Sequence, residues 1–337
     1  MSDHGFEDEP QLPLPTAPEN ISVSLQGFAS GEGAERFGHV IASTVHNISR
    51  YIDLARLDGI SVAFDYDDAL AQLDRGYQPS RALSRTADGH NVGIAMTPAV
   101  LRAGVVKAHM LFWAPSVLPL KDPSSDGFPM ALCIVAHECG HVEDLKNRDA
   151  CFPMTILQRE ITDQEEMILE RFADILWDEY AACRASAVFG EGQAAVYEEC
   201  FANVLSDARE RANAAIRLYR THRSINRVLE EAGSPLCAPL RYAAYLIGHL
   251  DGRNASLDEA PRARDLLSGN SYEPFLNRLL DVLRGLWPRR GKWTSTSEFD
   301  PLRAIVRDLL ADGGMILQPL PDGSLFVNIP FKPETMP

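Results

Sequence analysis

Residues 128–147 read FPMALCIVAHECGHVEDLKN, and the spacing predicts one helix over them. Pro129 falls in its first turn, with Ser125 or Asp126 placed to cap it. The run Met130 to Ala136 is apolar on every side, so the helix enters a core rather than lying on a surface. His137 and His141 stand four residues apart, and on a helix such positions share a face. Both imidazoles can therefore approach one ion, with Glu138 beside the first. Gly140 costs a helix about 1 kcal/mol relative to alanine. A close neighbour at that point, substrate or another helix, would account for it.

A His-Glu-x-x-His pattern arises by chance in roughly two of a hundred chains of this His and Glu content, so its surroundings must carry weight. The next helical stretch, EITDQEEMILERFADILWDEYAACRASAVF (160–189), is rich in carboxylates. Glu179 shares its face with Phe172, Ile175, Leu176, Ala182, Cys183 and Ser186, an almost wholly apolar stripe. An ionised carboxylate on such a stripe is costly unless it is paired or binds metal. Asp174 and Asp178 share a more polar side with Arg171, and Glu165, Glu166 and Glu170 lie in mixed surroundings. Glu179 is thus the expected third ligand, against the alternative of a buried ion pair with Arg184. The ligand set His137, His141 and Glu179 suits one Zn2+ with an open fourth position, and Glu138 is placed to act as general base.

These residues resemble the zincin metallopeptidases, in particular the gluzincin type, in which a glutamate from a later helix completes the HExxH site. The resemblance covers about residues 90–190. It implies zinc-dependent hydrolysis of peptide bonds, a peptide or protein substrate, and a substrate-binding strand just before the active-site helix, here Ala108 to Trp113. One position departs from the pattern. Thermolysin-like gluzincins carry an aspartate four residues after the glutamate ligand, where it orients a zinc-bound histidine; this chain has Cys183 there. Asp144, Asp178 or a backbone carbonyl would then take that role, or the arrangement differs. Oxyanion donors stay open among Tyr180, Tyr219, His222, Tyr242 and His249, and Cys139 reads as buried packing.

Outward from this centre, the chain divides into a small α/β portion and a mostly helical one. Helices are expected over 35–57, 66–75, 163–189, 192–232, 239–250, 272–286 and 301–311. Strands are expected over 60–64, 91–96 and 105–113, with a hairpin around Pro321-Asp322-Gly323 near the end. The predicted class is α+β: a small mixed sheet with the active-site helix, then a helical subdomain and the hairpin. Residues 1–30, rich in Pro, Glu, Asp, Ser and Gly, read as a mobile tail; 31–232 as the zincin-like domain; 233–337 as a helical extension.

A net charge of −15 argues against broad binding to nucleic acid or anionic membranes. The local group Arg284, Arg289, Arg290, Lys292, Arg303 and Arg307 reads as a solvated face, with the hairpin completing a sheet. The N-terminus has no secretory pattern, and no apolar run nears the roughly 18 residues of a membrane span. Six scattered cysteines without a CxxC pair fit free thiols in a reducing cytoplasm. A second reading, from a different class, is a non-catalytic regulatory or scaffold protein that keeps a zincin-like fold. A third is a peptidase acting on a regulator. An open three-ligand site in a cleft would favour catalysis; a closed four-ligand site, structural zinc.

Overall fold

The computed structural model describes residues 12–79, 82–190 and 192–336. In chain order the elements are β1 (Ser22–Gln26), α1 (Gly31–Ile48), β2 (Leu57–Ala63), α2 (Tyr66–Gln72), β3 (Ala95–Met96), β4 (Ala99–Arg102), β5 (Val105–Trp113) and α3 (Ala114–Val117). Then come α4 (Phe128–Cys151), α5 (Gln164–Ser186), α6 (Gln193–His222), α7 (Ile225–Glu231), α8 (Gly233–Gly252), α9 (Pro261–Leu267), α10 (Glu273–Leu286), α11 (Asp300–Asp312), β6 (Ile316–Pro319) and β7 (Leu325–Asn328). The architecture is α+β, as the sequence pattern implies.

The sheet is mixed. β1 and β2 run parallel to β5, while β3 and β4 pair with the other edge of β5 in antiparallel sense. Alternation along β5 buries Val106, Ala108, Met110 and Phe112 on one face, where they meet Phe37, Ile41 and Val45 of α1 and Val135, Ala136 and Val142 of α4. Ala131, Val135 and Ala136 of the apolar start of α4 thus lie in the first core, whereas Met130 is exposed. A second core runs from Leu169 of α5 to Ile329 beyond β7 and includes Leu236, Leu240, Leu279 and Leu309. α5 packs against both α4 and α8 and so joins the two halves.

Several expectations are corrected here. Residues 1–11 of the expected tail lie outside the described residues, but 22–26 form β1, in register with β2 from Ser22↔Gly59 to Gln26↔Ala63. Ile21, Val23, Leu25 and Phe28 pack on the first core, and Thr16 donates to the Ser49 carbonyl at 2.8 Å, so this part is tied down. Ala232 and Leu236, either side of the expected 232/233 division, share the second core with α5 and α6. The expected long helix to 232 is broken after His222. Arg223 takes a left-handed φ of 56° and donates its N–H to the Tyr219 carbonyl, which closes α6. The hairpin forms a two-stranded sheet of its own instead of completing the larger one. Five of the C-terminal arginines are ion-paired: Arg284 with Asp251, Arg289 with Glu298, Arg290 with Glu143, Arg303 with Glu170, and Arg307 with Glu165. All six cysteines are free thiols. Among the described residues, no helix is long and apolar enough to cross a membrane.

Candidate metal centre

α4 and α5 cross where Gly140 has no side chain. A Cβ at Gly140 would stand 2.7 Å from the Ala182 Cα and 2.8 Å from its carbonyl oxygen. The neighbour that the sequence required is therefore a helix backbone. This close approach carries Glu179, one turn before Cys183 on α5, up to the two histidines of α4.

The three expected ligands meet. His137 Nε2 and His141 Nε2 face each other at 3.0 Å, and Glu179 Oε2 lies 3.3 Å from the first and 3.5 Å from the second. His137 and Glu179 are each 8% exposed. Glu179 Oε2 is buried and makes no well-aligned hydrogen bond; its partners are the two imidazoles at ion-pair distance. Tetrahedral donors held about 2.0–2.1 Å from zinc stand about 3.3 Å from one another, so the observed triangle fits that ion. Two imidazoles and one carboxylate are also a hydrolytic zinc donor set. Among the described residues, this is the group of histidine, cysteine and acid side chains close enough to share an ion, and it has three members.

The remaining ring nitrogens are held from behind. His141 Nδ1 is 3.0 Å from Asp178 Oδ1. Asp178 lies 3.7 Å from Arg148, which also pairs with Asp144 at 2.9 Å. Burial would raise the Asp178 carboxyl, but His141 and Arg148 outweigh it and hold it below its ordinary value. Burial likewise opposes charge on His141, yet Asp178 and Glu179 lift it well above the usual imidazole range in the metal-free site. The same two histidines overcome burial at Glu179 and keep its carboxyl far below the ordinary value. His137 Nδ1 faces Cys183 Sγ at 3.5 Å. Of the alternatives open in the sequence, Asp178 therefore serves His141 and Cys183 serves His137. Asp144 serves neither; it accepts from Trp177 Nε1 at 2.8 Å.

Glu138 is 5% exposed and accepts a 2.6 Å hydrogen bond from the Thr97 hydroxyl. Burial raises its pKa above the usual glutamate value, partly offset by His141 and His137. The site opens into a cleft of about 450 Å³ lined by His137, Glu138, His141, Glu179, Tyr197 and Tyr245, with residues 91–97 along one wall. The strand assigned to substrate in the sequence is thus the wrong one. Ala108 to Trp113 belongs to β5, which is paired on both edges; the cleft is walled by the segment that ends in β3.

Sequence reasoning named Tyr242 among the possible donors but missed other cleft residues. Tyr245 stacks on His137, with ring centroids 5.5 Å apart. Burial first, then the Glu179 carboxylate, push its hydroxyl well above the usual tyrosine range, so it stays a proton donor. Tyr242 stacks in turn on Tyr245, and Arg241 closes the wall. Their signal was two tyrosines three residues apart on one apolar helix, which core packing also explains. Thr97 carried no signal. Of the five oxyanion candidates, Tyr242 lines the cleft, Tyr180 bonds Asp251, and His249 stacks edge-on with Tyr197. Comparison of the chain with protein families, with curated proteins and with solved structures gives no match.

Proposed function

We propose that this protein is a zinc-dependent peptidase of the gluzincin kind. The observation that carries the reading is the convergence of His137, His141 and Glu179 at the floor of a cleft, with Glu138 beside them. The three residues hold one Zn2+, which when bound acidifies water and acts as a Lewis acid on a carbonyl. Glu138 takes the proton from water and delivers it to the leaving amine nitrogen. Thr97 fixes the Glu138 carboxylate, and the burial that raises its pKa makes it a better base for that task. Tyr245 and Arg241 are the donors in the wall from which an oxyanion would draw hydrogen bonds. The segment 91–97 is the wall along which an extended peptide would lie. Three protein donors beneath an open cleft support catalysis over a structural or scaffold role, because structural zinc sites close with four.

The test is an unbiased peptide-library digest with zinc-loaded protein, with and without a chelator, repeated for Glu138→Gln. The reading expects cleavage that the chelator abolishes and that the variant lowers by about 10²–10⁴-fold. Absence of bound zinc in the purified protein, or undiminished cleavage by the variant, overturns it.

A further inference from the structure

The two histidines of the site are held unequally. Asp178, a carboxylate, stands 3.0 Å behind His141; Cys183, a thiol, stands 3.5 Å behind His137. Cys183 is fully buried and lies on α5 one turn beyond Glu179, on the same face. His137 Nε2 points at the other two ligand atoms, so with a metal bound there its proton would belong on Nδ1, where the sulfur would be the acceptor. Tyr197 lies close to both Cys183 and Cys133. The sulfur therefore sits at the junction of a row running Cys133, Tyr197, Cys183 and His137.

We propose that Cys183 is the positioning residue of His137 and that its thiol sets the site's hold on the metal. This deepens the zinc reading and rests on it. A neutral sulfur is a weak acceptor. It fixes the tautomer and the ring plane but adds little electron density to the imidazole. A carboxylate at the same point would do both, since partners behind ligating histidines raise ligand basicity and are worth about 10–100-fold in metal affinity. Cysteine and aspartate are close in size, and an aspartate here would find the His137 Nδ1–H waiting, with the Tyr197 hydroxyl close by. The chain thus holds its zinc more loosely than its geometry allows, and position 183 is where that is decided.

The experiment measures zinc affinity by competition with a chromogenic chelator for the wild type, Cys183→Ala and Cys183→Asp. It also follows solvent exchange of the His137 Nδ1–H in the zinc-loaded proteins by NMR. The expected result is about tenfold weaker binding for Cys183→Ala and about tenfold tighter binding for Cys183→Asp. The His137 Nδ1–H should exchange slowly in the wild type and faster in Cys183→Ala. If Cys183→Asp fails to fold, Cys183→Asn offers the same acceptor without charge and should still bind more tightly than wild type. Affinities within twofold of wild type, with that exchange rate unchanged in Cys183→Ala, overturn the proposal. A wild type that binds no zinc at all defeats the zinc reading itself, whatever position 183 does.

Discussion

His109 in the sheet and His137 on α4 each sit in a cluster with acid groups, but they stand in opposite conditions. Around His109 the order of groups is that of a serine hydrolase. Ser61 Oγ lies 2.9 Å from Nε2, and Asp58 Oδ2 lies 3.0 Å from Nδ1. Every partner there is spent. Asp58 is gripped by Arg102 through Nε at 2.9 Å and Nη2 at 3.0 Å. β2 lies between β1 and β5, so the backbone N–H groups about Ser61 belong to the ladder and leave no pair of donors for an oxyanion. Ser61 itself is only 7% exposed. At His137 the reverse holds. Two imidazole nitrogens and a buried carboxylate oxygen are aimed at one point, held there only by one another, and a cleft opens on that point. A reactive site is marked by unsatisfied chemistry facing open space, more than by residue types in the right order.

Substitutions can break that comparison. Glu179→Gln should have the largest effect. It removes the ligand charge, and should weaken zinc at least about a hundredfold, because loss of a group behind a ligand alone costs about 10–100-fold. Ser61→Ala should leave zinc content and cleavage unchanged. Metal analysis after dialysis, beside the peptide digest, decides both. Cleavage that depends on Ser61 and not on Glu179 would reverse the roles assigned to the two clusters.

Gly140→Ala comes next. Its Cβ would meet backbone atoms of Ala182 at under 3 Å, so no flexible side chain can yield and α4 must move off α5. Overpacking of this kind costs about 1–3 kcal/mol, occasionally more. Here the displacement also separates His137 and His141 from Glu179. A lowered melting temperature together with weaker zinc binding is expected. A variant that melts lower but binds zinc as the wild type does would show that the ligands do not depend on this crossing.

His109→Ala should act on stability alone. It strips Asp58 of one partner and Ser61 of its acceptor, at a cost of about 1–3 kcal/mol for buried groups left unpaired. Cleavage per folded molecule should not change. Chemical denaturation and the digest, run side by side, separate the two outcomes; loss of cleavage in a folded, zinc-loaded His109→Ala would overturn the assignment.

What could be read from the sequence divides along the same line. The helix of HECGH, its apolar entry and Glu179 on an oily stripe are local patterns, and they lie where periodicity placed them. β5 carries its own alternation and matches residue for residue. The remainder depends on partners far along the chain. β1 is a five-residue strand in a Pro- and Ser-rich stretch, made a strand by β2 more than thirty residues on. Thr97 reaches Glu138, and Asp58 and Ser61 reach His109, across separations that no window spans. Tyr245 carries no pattern that sets it apart from its helix, because most of α8 is core. Cys183 was noticed only as a departure from a pattern; that it faces His137 became visible once α5 had a position against α4.

The smallest expected effect is also the most direct test of the contrast, because protons should move the two clusters in opposite directions. Burial holds the His109 pKa below the usual 6.5, although Asp58 opposes it, so the unfolded chain binds that proton more readily. Stability from this cluster is present above about pH 6.5 and is lost as the pH falls below it. Asp58, held below its ordinary value despite burial by Arg102 and His109, adds a further loss beneath about pH 3.8. His141 in the metal-free protein has the other sign. Its raised pKa gives stability that is fully present below about pH 6.5 and disappears as the pH rises through the raised value. Zinc should erase that second dependence, since a ligating imidazole carries no proton on the bound nitrogen. Unfolding free energies measured across this range, with and without zinc, should therefore fall less steeply toward alkaline pH when the metal is present. His109→Gln should flatten the acid side and leave the zinc-dependent difference untouched. If zinc changes the acid limb instead, or if His109→Gln abolishes the alkaline difference, the clusters are coupled and the separation between a satisfied network and an open site fails.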